Sequence, residues 1–139
     1  MEVVNKVVPT PEQMVEFFGA KDDGPFVMVN LLKFKEKAEY ADGSNADMSG
    51  AEAYMVYGLE VQAHIASVGA KPLTSGPVTG LMLGEVEELW DMVALVQYPS
   101  LKAFETMIST PEYQAITVHR DAGLAGQLNI KIKAQPMGD

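Results

Sequence analysis

Phe26-Val27-Met28-Val29-Asn30-Leu31-Leu32-Lys33-Phe34 is a nine-residue run that, laid out as a strand, is apolar on both faces apart from one amide and the penultimate lysine. Such a strand belongs in the middle of a sheet, covered on both sides. Asn30 shares a face with Phe26, Met28, Leu32 and Phe34, and burying its amide without partners would cost about 1 to 3 kcal/mol. Two accounts of Asn30 follow: an amide that pins a neighbouring strand or loop, or a donor that orients a ligand oxygen.

Outward from this strand, Lys21-Asp22-Asp23-Gly24-Pro25 is a polar turn, and before it Thr10-Pro11-Glu12-Gln13 opens a short helix through a capping box, ending near Gly19. Lys35 to Met48 is a long polar connection, read as a mobile loop or a functional lid. Ser49 with Glu52 makes a second capping box, and the helix it opens carries Tyr54, Gly58, Val61, Ile65 and Val68 on one face before Gly69 stops it. Lys71 to Glu85, interrupted by Gly76-Pro77 and Gly80, reads as an irregular strand; Trp90 to Tyr98 is the next strand, closed by Pro99. Ser100 and Thr110 cap two further helices, the second reaching about Arg120, and Gln127 to Lys133 alternates strictly, with Leu128, Ile130 and Ile132 on one side.

The order is strand, helix, strand, strand, helices, strand. This is the βαββαβ arrangement of an α+β, ferredoxin-like sandwich, with residues 1–24 as an N-terminal helical extension and 25–139 as the domain. The first and third strands are central in that topology and are the two with doubly apolar runs. Helices cover only one face of such a sheet, so the other calls for a second copy of the chain, and a homodimer with face-to-face sheets is expected.

Composition narrows the function. A chain of 139 residues with 47% apolar residues makes one globular domain. Ten basic against nineteen acidic residues, a net charge of -9, disfavour nucleic acid, and no apolar run approaches the roughly 20 residues that span a bilayer. Met1-Glu2-Val3-Val4-Asn5-Lys6 lacks a basic signal-peptide start, so a cytoplasmic address is expected. With no cysteine there is no disulfide or thiolate chemistry. His64 and His119 have no metal-ligand spacing, and neither a P-loop nor GxGxxG is present, so no metal or nucleotide cofactor is expected.

Val29-Asn30-Leu31-Leu32-Lys33-Phe34, Ala53-Tyr54-Met55-Val56-Tyr57-Gly58, Trp90-Asp91, Tyr98-Pro99-Ser100 and Arg120-Asp121-Ala122-Gly123-Leu124 together resemble the family catalogued as domain of unknown function 1330. The resemblance implies a ferredoxin-like fold pairing as a dimeric α/β barrel, similar in shape to small cofactor-free oxygenases, lactone isomerases and haem-degrading enzymes. The family often has paired glycines after its long helix and arginine after Tyr-Pro-Ser; this chain has Gly69-Ala70 and Leu101 there.

The candidate ligand-binding residues are Asn30, Trp90, Tyr98 and Tyr54, with Trp90, Met92 and Tyr98 read as one strand-face wall for a flat apolar ligand or as dimer packing. Tyr57 and His64, seven residues apart on one helix, are the candidate acid-base couple, the alternative being that His64 is a boundary histidine at the edge of the core. Arg120 reads as a group complementing its helix dipole or pairing with a carboxylate, with ligand binding as the alternative. Two functions fit: a small-molecule protein that binds or converts an apolar or aromatic metabolite in a barrel or dimer-interface pocket, of cofactor-free oxygenase or isomerase type if catalytic, and a non-catalytic dimeric binding or interaction module.

Overall fold

The computed structural model describes residues 1–135. Helix α1, Pro11–Gly19, begins at a reciprocal cap: Thr10 Oγ1 accepts from the Gln13 amide at 3.1 Å, and Gln13 Oε1 accepts from the Thr10 amide at 3.0 Å. Strand β1 is Phe26–Phe34, and α2, Gly50–Ser67, starts at an identical box between Ser49 and Glu52. Gly69, at φ +76°, turns the chain into β2, Lys71–Pro77. Then come β3 (Met92–Tyr98), α3 (Leu101–Ser109), α4 (Pro111–Gly123) and β4 (Leu124–Ile132).

The four strands form one antiparallel sheet in the order β2-β3-β1-β4, which puts β1 and β3 in the centre. Several boundaries differ from the sequence reading. β2 stops at Pro77 rather than continuing to Glu85, because proline offers no N–H to the ladder; only the Val78 amide, bonded to the Asp91 carbonyl, extends the pairing. β3 begins at Met92, leaving Trp90 outside it. α4 runs past Arg120 to Gly123, and β4 starts at once with Leu124 rather than at Gln127.

Gly50 and Gly123 mark the tightest contact between helices. A methyl group on either would run into the other's main chain, and Lys35 donates its amide to the Gly123 carbonyl at 2.8 Å. The absence of two Cβ atoms therefore lets the start of α2, the end of α4 and the end of β1 meet backbone to backbone. The 35–48 connection docks on this junction instead of hanging free. Glu39 donates to the Ala122 carbonyl at 2.9 Å, Ala38 to that of Met48 at 2.8 Å, and Ala38, Ala53 and Ala122 pack together beneath Tyr40 and Met48.

Pairing register assigns the two sheet faces. Phe26, Met28, Asn30, Leu32 and Phe34 of β1 lie beside Tyr98, Val96, Ala94 and Met92 of β3, and beside Lys131, Asn129 and Gln127 of β4. All four helices send side chains to this side, where Phe26, Met28, Val61, Ile65, Tyr98 and Met107 form the main core with Phe17 and Ile116 at its margin. The opposite face carries Val27, Val29, Leu31, Val93, Leu95, Leu128, Ile130 and Ile132, and among the described residues no helix packs on it. Ile130 and Ile132 are 44% and 46% exposed there. The polar side of the alternating edge strand thus points under the helices, and its apolar side points away from them.

Candidate functional site

Asn30 stands at the foot of a directed chain of amides. Its Nδ2 donates to the carbonyls of Ala94, its register partner on β3, at 3.1 Å and of Met28 at 3.4 Å. Its Oδ1 accepts from Gln127 Nε2 at 3.0 Å, and the same Nε2 donates to Asn129 Oδ1. Gln127 Oε1 in turn accepts from Arg120 Nη2 at 2.7 Å, while Arg120 Nη1 lies 3.3 Å from Asp121 Oδ1. The backbone fixes Asn30, Asn30 fixes Gln127, and Gln127 fixes the guanidinium, so each group is held by the next. Gln127 is buried and the Arg120 side chain is only 16% exposed, whereas Asn129 is exposed. Solvent therefore reaches the helix-facing side of the sheet at Asn129.

A group of phenols lies on the α2 and α4 side of this chain. Tyr57 and Tyr113 pair through their hydroxyls at 2.9 Å, and the Tyr54 ring packs between those of Tyr57 and Phe34. One hydroxyl of the Tyr57–Tyr113 pair spends its proton on the other, which leaves one phenolic proton to donate onward. Burial pushes the Tyr54 phenol up to about 12, against a smaller opposing pull from Arg120. Tyr57 is raised well above 10, first by burial and then by Tyr113, and burial likewise raises Tyr98. At neutral pH these phenols are hydrogen-bond donors and not bases.

The structure brings together only some of the residues singled out by sequence. Asn30, Tyr54 and Tyr57 share the helix-facing side. His64 meets the Tyr113 ring edge-on at 6.0 Å, and the Tyr57 hydroxyl goes to Tyr113, so a direct Tyr57–His64 couple is not formed. Trp90 and Tyr98 do not make one wall. Trp90 precedes β3 and donates its Nε1 to Asn5 Oδ1 at 2.7 Å, whereas Tyr98, at the far end of β3, stacks on Phe26 and meets Phe104 edge-on in the core. Of the other members, the sequence reading weighs Arg120 without joining it to Asn30, and does not single out Gln127, Asn129 or Tyr113 as site residues. The alternation of Gln127 and Asn129 was their visible trace, and only the register that sets Asn129 opposite Asn30 gives it meaning.

A second polar group lies across α2 and α4: Tyr40 Oη is 2.7 Å from His119 Nδ1, and His119 Nε2 is 3.9 Å from Glu60 Oε2. This contact ties the docked 35–48 connection to both helices. Among the described residues no three histidine, aspartate or glutamate side chains converge on a metal-sized site, and no helix is long and apolar enough to cross a membrane. Two surface recesses, one of about 130 Å³ between α1 and α3 and one of about 530 Å³ in the 81–87 loop, lie away from Asn30.

Comparison with known proteins places this architecture. The Rhodopseudomonas palustris protein RPA0582, described as a protein of unknown function, is 30% identical over 96% of this chain and 100% of its own, with a TM-score of 0.86. Its methylated form gives 31% identity over 99% and 100%, with a TM-score of 0.88. A Bacteroides fragilis protein, described as dimeric, of unknown function and of ferredoxin-like fold, is 10% identical over 79% of this chain and 96% of its own at a TM-score of 0.54, a likeness of fold alone. No protein among the curated sequences matches the chain. Residues 32–131 match the model of the family described as domain of unknown function (DUF1330), and the chain belongs to that family.

Proposed function

We propose that this protein is a cytoplasmic homodimer that binds a small metabolite with an apolar or aromatic body and an acceptor oxygen, using the helix-facing side of β1 and β4. The observation that carries the reading is the chain from Asn30 through Gln127 to Arg120. It holds a largely buried cation beside protonated phenols, with solvent access at Asn129. Guanidinium and phenolic donors with few acceptors between them suit a carboxylate, an enolate or a polarised carbonyl. Asn30, Tyr54 and Tyr57 belong to this proposed site; His64 enters only through Tyr113, and Trp90 and Tyr98 as structural supports. If the site is catalytic, the chemistry is of cofactor-free oxygenase or isomerase type, with phenols stabilising developing negative charge.

The dimer is the second half of the proposal. Val29, Leu31, Val93, Leu95, Leu128 and Ile130 make an apolar face that no helix among the described residues covers, and a second copy is the economical cover.

A competing reading, a dimeric module without ligand, is favoured by one observation: the amide hydrogens of Asn30 are fully engaged by strand carbonyls. One experiment decides between them. Protein purified without additives is titrated with small aromatic carboxylates and their uncharged amides, using wild type and Arg120→Gln. Carboxylate binding weakened at least about tenfold in Arg120→Gln supports the site; equal binding by the two proteins, or none by either, removes it.

A further inference from the structure

The segment before α1 is held by a few contacts, and they converge on the proposed site. Residues 1–6 and 8–10 are exposed and only Val7 is half-buried. The Lys6 amide donates to the Gln127 carbonyl at 3.2 Å, an isolated antiparallel bridge on the outer edge of β4. Asn5 stands against Gly126, the register partner of Lys33, so closely that a methyl group on Gly126 would lie 2.6 Å from Asn5 Cβ; the three atoms nearest that methyl all belong to Asn5. Asn5 Oδ1 accepts from Trp90 Nε1 at 2.7 Å. Lys33 alternates with Leu32, so Gly126 turns toward the uncovered face, whereas Val7 packs on the helix-facing side against Leu32, Tyr54 and Leu124. Residues 5–7 are therefore a strap that wraps the edge of β4 from one face of the sheet to the other.

The strap sits where the site is entered. Solvent reaches the helix-facing side at Asn129, and Gln127, which joins Asn129 to Arg120 through its side chain, is the residue on which the strap is seated. Leu124, beneath Val7, donates its amide to the Arg120 carbonyl. Two hydrogen bonds and one half-buried side chain are set against the backbone freedom of the residues they order, and these opposing contributions are of similar size. Closed and open arrangements thus differ little in free energy, as a gate requires. We infer that the Asn5–Val7 strap is a gate to the Arg120 guanidinium, latched by Trp90, which swings off the β4 edge to admit and release an aromatic anion. Gly126 is its seat and the indole N–H its catch. The inference rests on the binding site proposed above and adds how that site is entered.

Arg120 is the only arginine of the chain and Trp90 the only tryptophan, so each reports alone. Phenylglyoxal, an aromatic dicarbonyl that condenses with guanidinium groups, is the probe. Its rate of reaction at Arg120, followed by mass spectrometry, is measured on the full chain for wild type, Gly126→Ala, Asn5→Ala and the control Gly76→Ala, whose methyl meets nothing within 4 Å on the other edge strand. Trp90 emission in the same samples reports release of the latch. The gate predicts modification about fivefold faster in Asn5→Ala, which loses one hydrogen bond, about tenfold or more faster in Gly126→Ala, and unchanged in Gly76→Ala. Asn5→Ala, a change at an exposed residue, keeps the test independent of any effect of Gly126→Ala on folding. Rates within about twofold of wild type in both strap variants overturn the gate and leave the binding site standing. Strap-dependent rates that excess benzoate does not slow in any variant overturn the binding site and leave the strap as a barrier; slowing by benzoate supports both.

Discussion

The same chemical change, glycine to alanine, is expected to act with opposite sign at two helical positions. At Gly123 the added methyl would lie 2.9 Å from the Tyr54 amide nitrogen and 3.3 Å from Tyr54 Cβ, and would overlap the Gly50 carbonyl oxygen. These are mainly backbone atoms fixed by α2 and cannot swing aside. Overpacking of this kind costs about 1 to 3 kcal/mol, and forcing the helix ends apart also stretches the Lys35 to Gly123 bond, worth about 0.5 to 1.5 kcal/mol. A net loss of about 3 kcal/mol lowers Tm by about 10 °C in a domain of this size. At Gly58, within α2, nothing lies within 4 Å of the new methyl, so Gly58→Ala gains about 0.5 to 1 kcal/mol of helix propensity and raises Tm by a few degrees. Thermal unfolding followed by far-ultraviolet circular dichroism, at one protein concentration so that association is held constant, measures both. A Gly123→Ala protein melting within about 2 °C of wild type would refute the close crossing, as would a Gly58→Ala protein destabilised to the same extent.

Other expectations follow from the interior polar groups. Gln127→Leu leaves Asn30 Oδ1 and the Arg120 guanidinium without their shared partner, at about 1 to 3 kcal/mol for each orphan; adding Asn30→Leu should recover part of the loss in urea unfolding, and strict additivity would show that the chain is not coupled. Tyr54, Tyr57 and Tyr98 ionise at higher pH folded than unfolded, so their contribution is intact below about pH 10 and declines as pH rises toward about 12 for Tyr54, by up to about 1.4 kcal/mol per pH unit per phenol. Urea unfolding at pH 8 and pH 11 checks the sign, and a flat profile counts against the buried phenols. Asp22 caps α3 from a separate turn, accepting from the Lys102 and Leu101 amides, each at 3.1 Å, and these bonds hold its carboxyl below the usual range. Asp22→Ala should therefore lower Tm at pH 7 and cease to differ from wild type once acid protonates the native carboxyl.

Local chemistry made much of the fold legible. The Thr10–Gln13 and Ser49–Glu52 boxes located two helix starts to the residue, since capping bonds are made between neighbours in sequence. The doubly apolar runs placed β1 and β3 in the middle of the sheet. What could not be read was decided by contacts distant in sequence. Alternation in β4 shows that Gln127 and Asn129 share a side, but not whether that side faces water or helices; the register with Asn30 settles it. The 35–48 connection looked polar enough to move, yet its backbone and three alanines fit against α2 and α4. Arg120 resembled any cation at a helix end because its partner Gln127 lies across the turn into another element.

That turn contains no spare residue. Gly123 is the last residue of α4 and Leu124 the first of β4, and both are buried. A roll of α4 about its axis has no slack to dissipate in and must be taken up by the strand itself. The same strand sets Leu128, Ile130 and Ile132 on the uncovered face of the sheet. The chain thus couples its polar interior to its outer surface as a crank does to a shaft, through one rigid covalent corner.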